Sequence, residues 1–293
     1  MEKQIKRAYL EITNICNLEC SFCPIQERDR NTMSLKDFHH AIKQVAPIAE
    51  EVSLHLMGEP LAHPEFNAIL EHCESQNIVL QLTTNGLLLK KYADLLVAAK
   101  SIRQINISLQ SFMDNYPNKP LSDYLDLVTN FIDLISEKRP EVYINFRLWN
   151  LSDENSKELA TQNEKVFKYL EEKYEIEINR KVDVGNIKSK KLFERVYLHF
   201  DSRFEWPRLD LPVNGTQGRC HGLINQIGIH ADGTVVPCCL DDQKILSLGN
   251  IFEEKLEDIL ENERASKIRM GFQNGNLVED LCQRCDYIKR FKK

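Results

Sequence analysis

"AYLEITNICNLECSFC", residues 8–23, decides how the chain is read. Its first half alternates: Leu10 and Ile12 are aliphatic, Glu11 and Thr13 polar, the period-2 pattern of a half-buried strand. Its second half places Cys16, Cys20 and Cys23 on the loop that follows, at C-x3-C-x2-C spacing. Accidental clustering, a structural zinc site and redox thiols all compete to explain that spacing. Structural zinc takes four ligands, commonly arranged in pairs. Tight runs of cysteine thiolates instead hold iron–sulfur clusters. Three thiolates on one loop would hold three irons of a [4Fe–4S] cube and leave the fourth open to a substrate or cofactor.

Outward from this stretch the same alternation repeats. Strands are expected at 8–13, 52–57, 78–83, 104–109 and 142–149, with helices at about 35–48, 64–76, 89–99, 121–137 and 153–172. A sixth strand is expected in "EIEINR", 175–180. Strands alternating with helices predict βαβ units and a parallel sheet. In each strand the second alternate set is polar: Ser53 and His55, Gln81 and Thr83, Asn106 and Ser108, Asn145 and Arg147. A flat sheet covered on both faces would read as continuous apolar runs. The expected fold is therefore α/β, a partial (β/α)6 TIM-like barrel with helices outside and a polar lumen; an α/β sheet with one wetted face is the alternative. Barrels of this kind carry their sites at the C-terminal strand ends. The cysteine loop, "MGEP" after strand two, "TNG" after strand three and "LQS" after strand four all fall on that rim.

Beyond residue 190 the character changes. Residues 191–219 read as a bridging segment, and 220–293 as a small domain of hairpin plus helix. The hairpin turns at Asp232-Gly233. One helix is expected over 250–272, with Ile251, Phe252, Leu256, Ile259 and Leu260 on one face. Cys220, Cys238, Cys239, Cys282 and Cys285 gather in this part; taken alone, two separated cysteines and a C-x2-C also suit a zinc ribbon. Cys73, on the 64–76 helix, reads as a buried structural thiol.

The 293 residues carry a net charge of −6, which gives no broad attraction to nucleic acid or anionic lipid. No apolar run reaches membrane-span length, and the N-terminus lacks the apolar core of a signal peptide, so a cytoplasmic protein is expected. In that compartment nine cysteines suggest metal ligands or catalysis rather than a disulfide framework.

On these motifs the sequence resembles the radical S-adenosylmethionine (SAM) enzymes. In that family the C-x3-C-x2-C loop follows the first strand and holds a [4Fe–4S] cluster whose open iron chelates the amino and carboxylate groups of SAM. Phe22 matches the usual aromatic beside the adenine. Gly58-Glu59-Pro60 matches the second half of the family's G-G-E-P motif, with Met57 in place of the first glycine. Ser108 stands where a strand-four residue contacts the ribose, and Gln110 where an Asp is frequent. Arg147 would pair with the SAM carboxylate or with substrate. A G-x-I-x-G motif on strand five is not evident. The resemblance extends to a C-terminal SPASM domain or its shorter form, Twitch, and implies that Cys220, Cys238, Cys282 and Cys285 hold an auxiliary [4Fe–4S] cluster. Strand alternation turns Cys239 away, although the two neighbours could exchange roles.

What the resemblance implies chemically is reductive cleavage of SAM to a 5′-deoxyadenosyl radical, which abstracts hydrogen from a substrate. An electron donor such as flavodoxin or ferredoxin would supply the electron, and the auxiliary cluster would accept the one left on the substrate. The polar lumen favours a polar small molecule, with a dehydrogenase-like net oxidation. A peptide or protein maturase, a nucleotide-modifying enzyme and a zinc-binding interaction protein are the alternatives. The chain begins only a few residues before strand one, without the N-terminal peptide-binding domain frequent in peptide maturases. His55 would move protons or serve as a structural histidine. Asp201, Arg203, Glu205 and Trp206 would hold substrate or form a salt-bridged linker.

Overall fold

The computed structural model describes residues 4–25, 27–151, 156–182, 188–203 and 205–291. In chain order β1 (Ile5–Leu10), α1 (Leu35–Val45), β2 (Ala49–Ser53), α2 (Phe66–Ser75), β3 (Leu80–Thr84), α3 (Leu89–Ala98) and β4 (Ile102–Ser108) alternate. Then come α4 (Leu109–Asn115), α5 (Leu121–Lys138), β5 (Tyr143–Leu151), α6 (Ser156–Tyr174), β6 (Ser189–Phe193) and β7 (Val196–Ser202). The C-terminal part holds β8 (Gln226–Ile229), β9 (Thr234–Val236), β10 (Gly249–Asn250), α7 (Leu256–Glu261), α8 (Glu263–Gln273) and α9 (Asp280–Gln283). Two compact units result. One comprises Met1–Asn17, Cys23–Leu80 and Phe204–Lys293; the other comprises Leu18–Phe22 and Gln81–Arg203.

In the first unit the strand order is β10-β9-β8-β1-β2. β1 is parallel to β2 on one side and to β8 on the other. β8 and β9 form the antiparallel hairpin expected at Asp232-Gly233. Gly233 has φ +85, and a Cβ there would lie 2.4 Å from Asn250 Oδ1, so the turn requires glycine. Helix α1 starts where the Ser34 side chain accepts the Asp37 N–H, and it buries Phe38, Ala41, Ile42 and Val45 at helical spacing. Helix α2 buries Phe66, Ile69, Leu70 and Cys73 in the same way. Full burial of each large side chain contributes about 1.5–3 kcal/mol. Cys73 is the inert core thiol expected: burial pushes it up to about 12.

In the second unit the order is β3-β4-β5-β7-β6, with β4, β5 and β7 parallel and β6 an antiparallel edge. The alternation foreseen for strand five holds: Ile144, Phe146 and Leu148 are buried, while Asn145, Arg147 and Trp149 are half-buried. The polar face satisfies itself through side chains. Asn106 Oδ1 accepts from Gln104 (2.8 Å) and Asn145 (3.0 Å), and Asn106 Nδ2 donates to Thr83 Oγ1 (3.3 Å). This amide ladder across three strands lets polar groups stay in a sheet without orphaned donors.

Several expectations need correction. β1 and β2 end earlier than expected, so Glu11, Thr13, His55 and Met57 lie beyond the strands, where the chain turns toward its loops. "EIEINR" is not a strand. Ile178 N–H donates to Glu171 (2.7 Å), and Arg180 pairs with Glu164 (2.8 Å) and Glu171, folding the segment back on α6. The sixth parallel strand is β7, inside the stretch expected to bridge, where Val196, Leu198 and Phe200 are buried alternately. The expected helix over 250–272 is two helices, because Asn262 leaves helical geometry and accepts the Ala265 N–H as the N-cap of α8. Helix α4 was not foreseen; it opens directly from the end of β4. The part of the 153–172 helix at 153–155 lies outside the described residues.

Candidate functional site

In the first unit the loop leaving β1 is pinned at its base. Met33 N–H donates to Ile12 C=O (2.8 Å), and Asn14 N–H to Asn31 C=O (3.1 Å). Asn14 side-chain bonds reach Asp29 C=O (2.9 Å) and Asn31 N–H (2.8 Å). Cys16 and Cys23 are exposed above this base. The Gly58-Glu59-Pro60 loop is tied to it by Glu59 N–H donating to Ile15 C=O (3.0 Å). Gly58 has φ +76, and a Cβ would stand 2.3 Å from Thr13 C=O, so only glycine admits this approach. Glu59 is buried, and its carboxylate caps the turn through Leu61 N–H (3.1 Å), with Pro60 at the first position. His55 stands half-buried before this loop, its ring edge-on to Tyr9 at 5.8 Å.

Below these loops sits a group that sequence reasoning missed. Glu11 is fully buried and accepts from both Arg28 amino groups (2.9 and 3.0 Å), Met57 N–H (3.1 Å) and Ala231 N–H (3.2 Å). His230 Nδ1 lies 3.5 Å away. Burial alone would raise the Glu11 carboxyl, but the adjacent His230 ring and the Arg28 bonds outweigh it and hold it down to about 2. One carboxylate thus joins the cysteine loop, the Gly58 loop and the β8–β9 hairpin.

The second unit holds the middle of the cysteine loop. Asp114 accepts from Ser21 N–H and Oγ, each at 2.6 Å, and Asn115 Oδ1 accepts from Glu19 N–H at 2.9 Å. Asn115 Nδ2 donates to Cys20 Sγ at 3.1 Å. The Arg203 guanidinium reaches Asp114 (3.4 Å) and lies 5.8 Å from the Phe22 ring centre. Ser108 closes β4 and is half-buried; Gln110, in the first turn of α4, is buried. Arg147 lies over the Trp149 ring at 4.4 Å and is in register with Ser108 and His199. Trp149 Nε1 donates to His199 Nδ1 (2.9 Å). Asp201 is buried and pairs with Lys188 at 3.5 Å. Asp114 and Asn115 were also missed; the one available signal was a polar pair closing the helix that starts at the rim motif "LQS".

The C-terminal cysteines come together. Cys220, Cys238, Cys282 and Cys285 line one cavity with Pro207, Pro237, Leu240, Phe272 and Leu281, and Cys239 does not. Burial first, and then repulsion from neighbouring thiolates, pushes Cys238 and Cys282 well above the ordinary thiol range. Burial pushes Cys285 up to about 11. Cys239 instead hydrogen-bonds the Tyr9 side chain. No disulfide joins any of the nine cysteines.

The C-terminal donor set fits an iron–sulfur cluster. Thiols crowded around one space repel as thiolates, and a multiply charged iron core is what deprotonates and neutralises them. Gln110 suits SAM: its Oε1 is buried with no hydrogen-bond partner among the described residues, an acceptor fit for a hydroxyl-bearing ligand.

Comparison with known proteins agrees with this chemistry. The radical SAM superfamily matches residues 10–160, just over half the chain, and the SPASM iron–sulfur cluster-binding domain matches 220–286. A probable GTP 3′,8-cyclase of Methanococcus maripaludis strain C5 is 31% identical over 113 residues, spanning 37% of this chain and 38% of that protein. One from Methanococcus aeolicus is 24% identical over 270 residues, 84% of this chain and 89% of its own length. Among solved structures, Streptococcus suis SuiB bound to precursor peptide SuiA aligns at TM-score 0.62 and 18% identity, over 98% of this chain and 73% of SuiB. BtrN in complex with AdoMet and 2-DOIA aligns at TM-score 0.56 and 17% identity, over 98% and 94%. At those identities the structures share the fold. With a family match across the first cysteine motif and a second across the four-thiol cavity, the protein belongs to the radical SAM superfamily, carries a SPASM domain, and takes SAM and iron–sulfur clusters as cofactors.

Proposed function

We propose that the chain uses SAM to remove hydrogen from a polar small molecule and passes the remaining electron to its auxiliary cluster, a net oxidation. In this reading residues 1–190 together with β6 and β7 are the catalytic domain, the remainder of 191–219 the bridge and 220–293 the auxiliary domain, in a cytoplasmic enzyme served by a flavodoxin- or ferredoxin-like donor. Cys16, Cys20 and Cys23 hold the SAM-binding cluster, and Cys220, Cys238, Cys282 and Cys285 the auxiliary one. When bound, the reduced cluster and SAM supply the 5′-deoxyadenosyl radical that takes the hydrogen atom. The Gly58-Glu59-Pro60 loop and Ser108 orient SAM, Phe22 flanks its adenine, and Gln110 accepts from a ribose hydroxyl. Arg147 holds a carboxylate, of SAM or of substrate. His55 takes the proton that leaves with the electron.

The observation that carries the oxidative reading is the four-thiol cavity. Four thiolates saturate the four irons of a cube, so no auxiliary iron remains for a substrate to ligate; electron transfer is the role left. Support for a small molecule comes from the polar ladder of Gln104, Asn106 and Asn145. SuiB, by contrast, binds a precursor peptide, and the curated relatives are named for a nucleotide.

The test begins with iron. Anaerobically reconstituted protein should hold roughly eight irons per chain, and Cys282→Ala/Cys285→Ala roughly four, with SAM cleavage retained. The full protein is then given aminocyclitols, GTP and short peptides, with 5′-deoxyadenosine and substrate mass followed. A polyol losing two hydrogens in step with deoxyadenosine is the expected result. Turnover with GTP or peptide alone would overturn the substrate class.

A further inference from the structure

We infer that Asn115, at the end of α4, is a positioning residue that sets the reduction potential of the SAM-binding cluster through a hydrogen bond to Cys20 sulfur. This rests on the reading that Cys16, Cys20 and Cys23 hold that cluster.

Three contacts fix the Asn115 amide, and they also fix which way round it sits. Oδ1 faces Glu19 N–H at 2.9 Å, a group that can only donate. Nδ2 faces Ser111 C=O at 2.9 Å, a group that can only accept. A flipped amide would set donor against donor and acceptor against acceptor. The nitrogen therefore carries its second hydrogen toward Cys20 Sγ, 3.1 Å away. The neighbouring Asp114 binds Ser21 through both its N–H and its hydroxyl, so the tripeptide around Cys20 is clamped on each side of the sulfur. Asn115 is half-buried and Cys20 is intermediate in exposure, so water competes only partly for the bond.

The physical effect has a definite sign. Reduction adds negative charge to an iron–sulfur cluster, and that charge is shared by its thiolate sulfurs. A hydrogen bond to a thiolate is stronger when the acceptor carries more charge. It therefore stabilises the reduced state and raises the potential, one of the recognised controls on such clusters. Removing the donor makes the cluster harder to reduce and slows electron delivery to SAM. A residue that merely ended α4 would leave the potential unchanged.

The experiment uses the full chain, reconstituted with iron and sulfide, in an EPR-monitored redox titration. The SAM-binding cluster is recognised by the change in its signal when SAM is added. Asn115→Leu, isosteric and without a donor, and Asn115→Ala are compared with Ser21→Ala, which weakens the same clamp without touching the sulfur or the charge. A more negative midpoint is expected for both Asn115 variants, larger for Leu because it keeps water out. Ser21→Ala should match the wild type, and the auxiliary cluster should not move in any variant. Equal midpoints in the Asn115 variants and wild type, or an equal shift in Ser21→Ala, would overturn the inference. If one Asn115 variant fails to load, the other decides. Absence of any SAM-responsive signal in the wild type would sink the parent reading instead.

Discussion

Glu11 shows how much one residue can be asked to hold. Its carboxylate is fully buried and neutralised by Arg28, whose own side chain is 8% exposed. Breaking such a pair from one side leaves a charge uncompensated in the interior, at about 3–5 kcal/mol. Glu11→Gln is therefore expected to lower unfolding stability by that amount at pH 7, measured from denaturant midpoints. The pH dependence follows from the depressed carboxyl, about 2 when folded against an ordinary 4.5. That contribution, about 3 kcal/mol, is complete above roughly pH 4.5 and disappears as the pH falls toward 2. Glu11→Gln should lack this acid-sensitive component. A variant whose stability follows the wild-type acid profile would show that Glu11 is not its source.

At the scale of elements, the helices and strands most legible in the sequence were those whose pattern stands by itself. Phe38, Ala41, Ile42 and Val45 mark α1, and Ile144, Phe146 and Leu148 mark β5. The cysteine motifs were equally plain, because thiol spacing is local. What stayed hidden depended on partners far away in the chain. β7 hid in a stretch crowded with charge because Lys190, Lys191, Glu194 and Arg195 flank its apolar set. "EIEINR" imitated a strand because the pull of Glu164 and Glu171 on Arg180 cannot be seen from composition. Glu11 and Asn115 were missed for the same reason: their partners lie 17 to 220 and 95 residues off. The break at Asn262 gives its own test. Asn262→Ala removes the side-chain acceptor for Ala265 N–H and should cost about 1 kcal/mol, read from thermal or denaturant unfolding. An unchanged midpoint would mean that α8 is held by packing of Ile268 and Phe272 alone.

For the whole molecule, the feature with the widest reach is β1, hydrogen-bonded to β2 on one edge and to β8 on the other. Deleting the C-terminal cysteine region is thus not a way to isolate the SAM-cleaving half. A chain ending at residue 219 should be recovered mainly as aggregate, because β1 would expose an unpaired edge and Glu11 would lose Ala231. Size-exclusion chromatography decides, and a soluble monomer of that length would contradict this account. The same arrangement has a consequence for biosynthesis. Residue 226 leaves the ribosome more than 200 residues after β1, a delay of roughly ten to forty seconds at usual elongation rates. Throughout that interval the nascent N-terminal strand waits with one edge bare. Closure of the first unit therefore waits until β8 has emerged, and chaperone protection during that interval should raise the yield of folded protein.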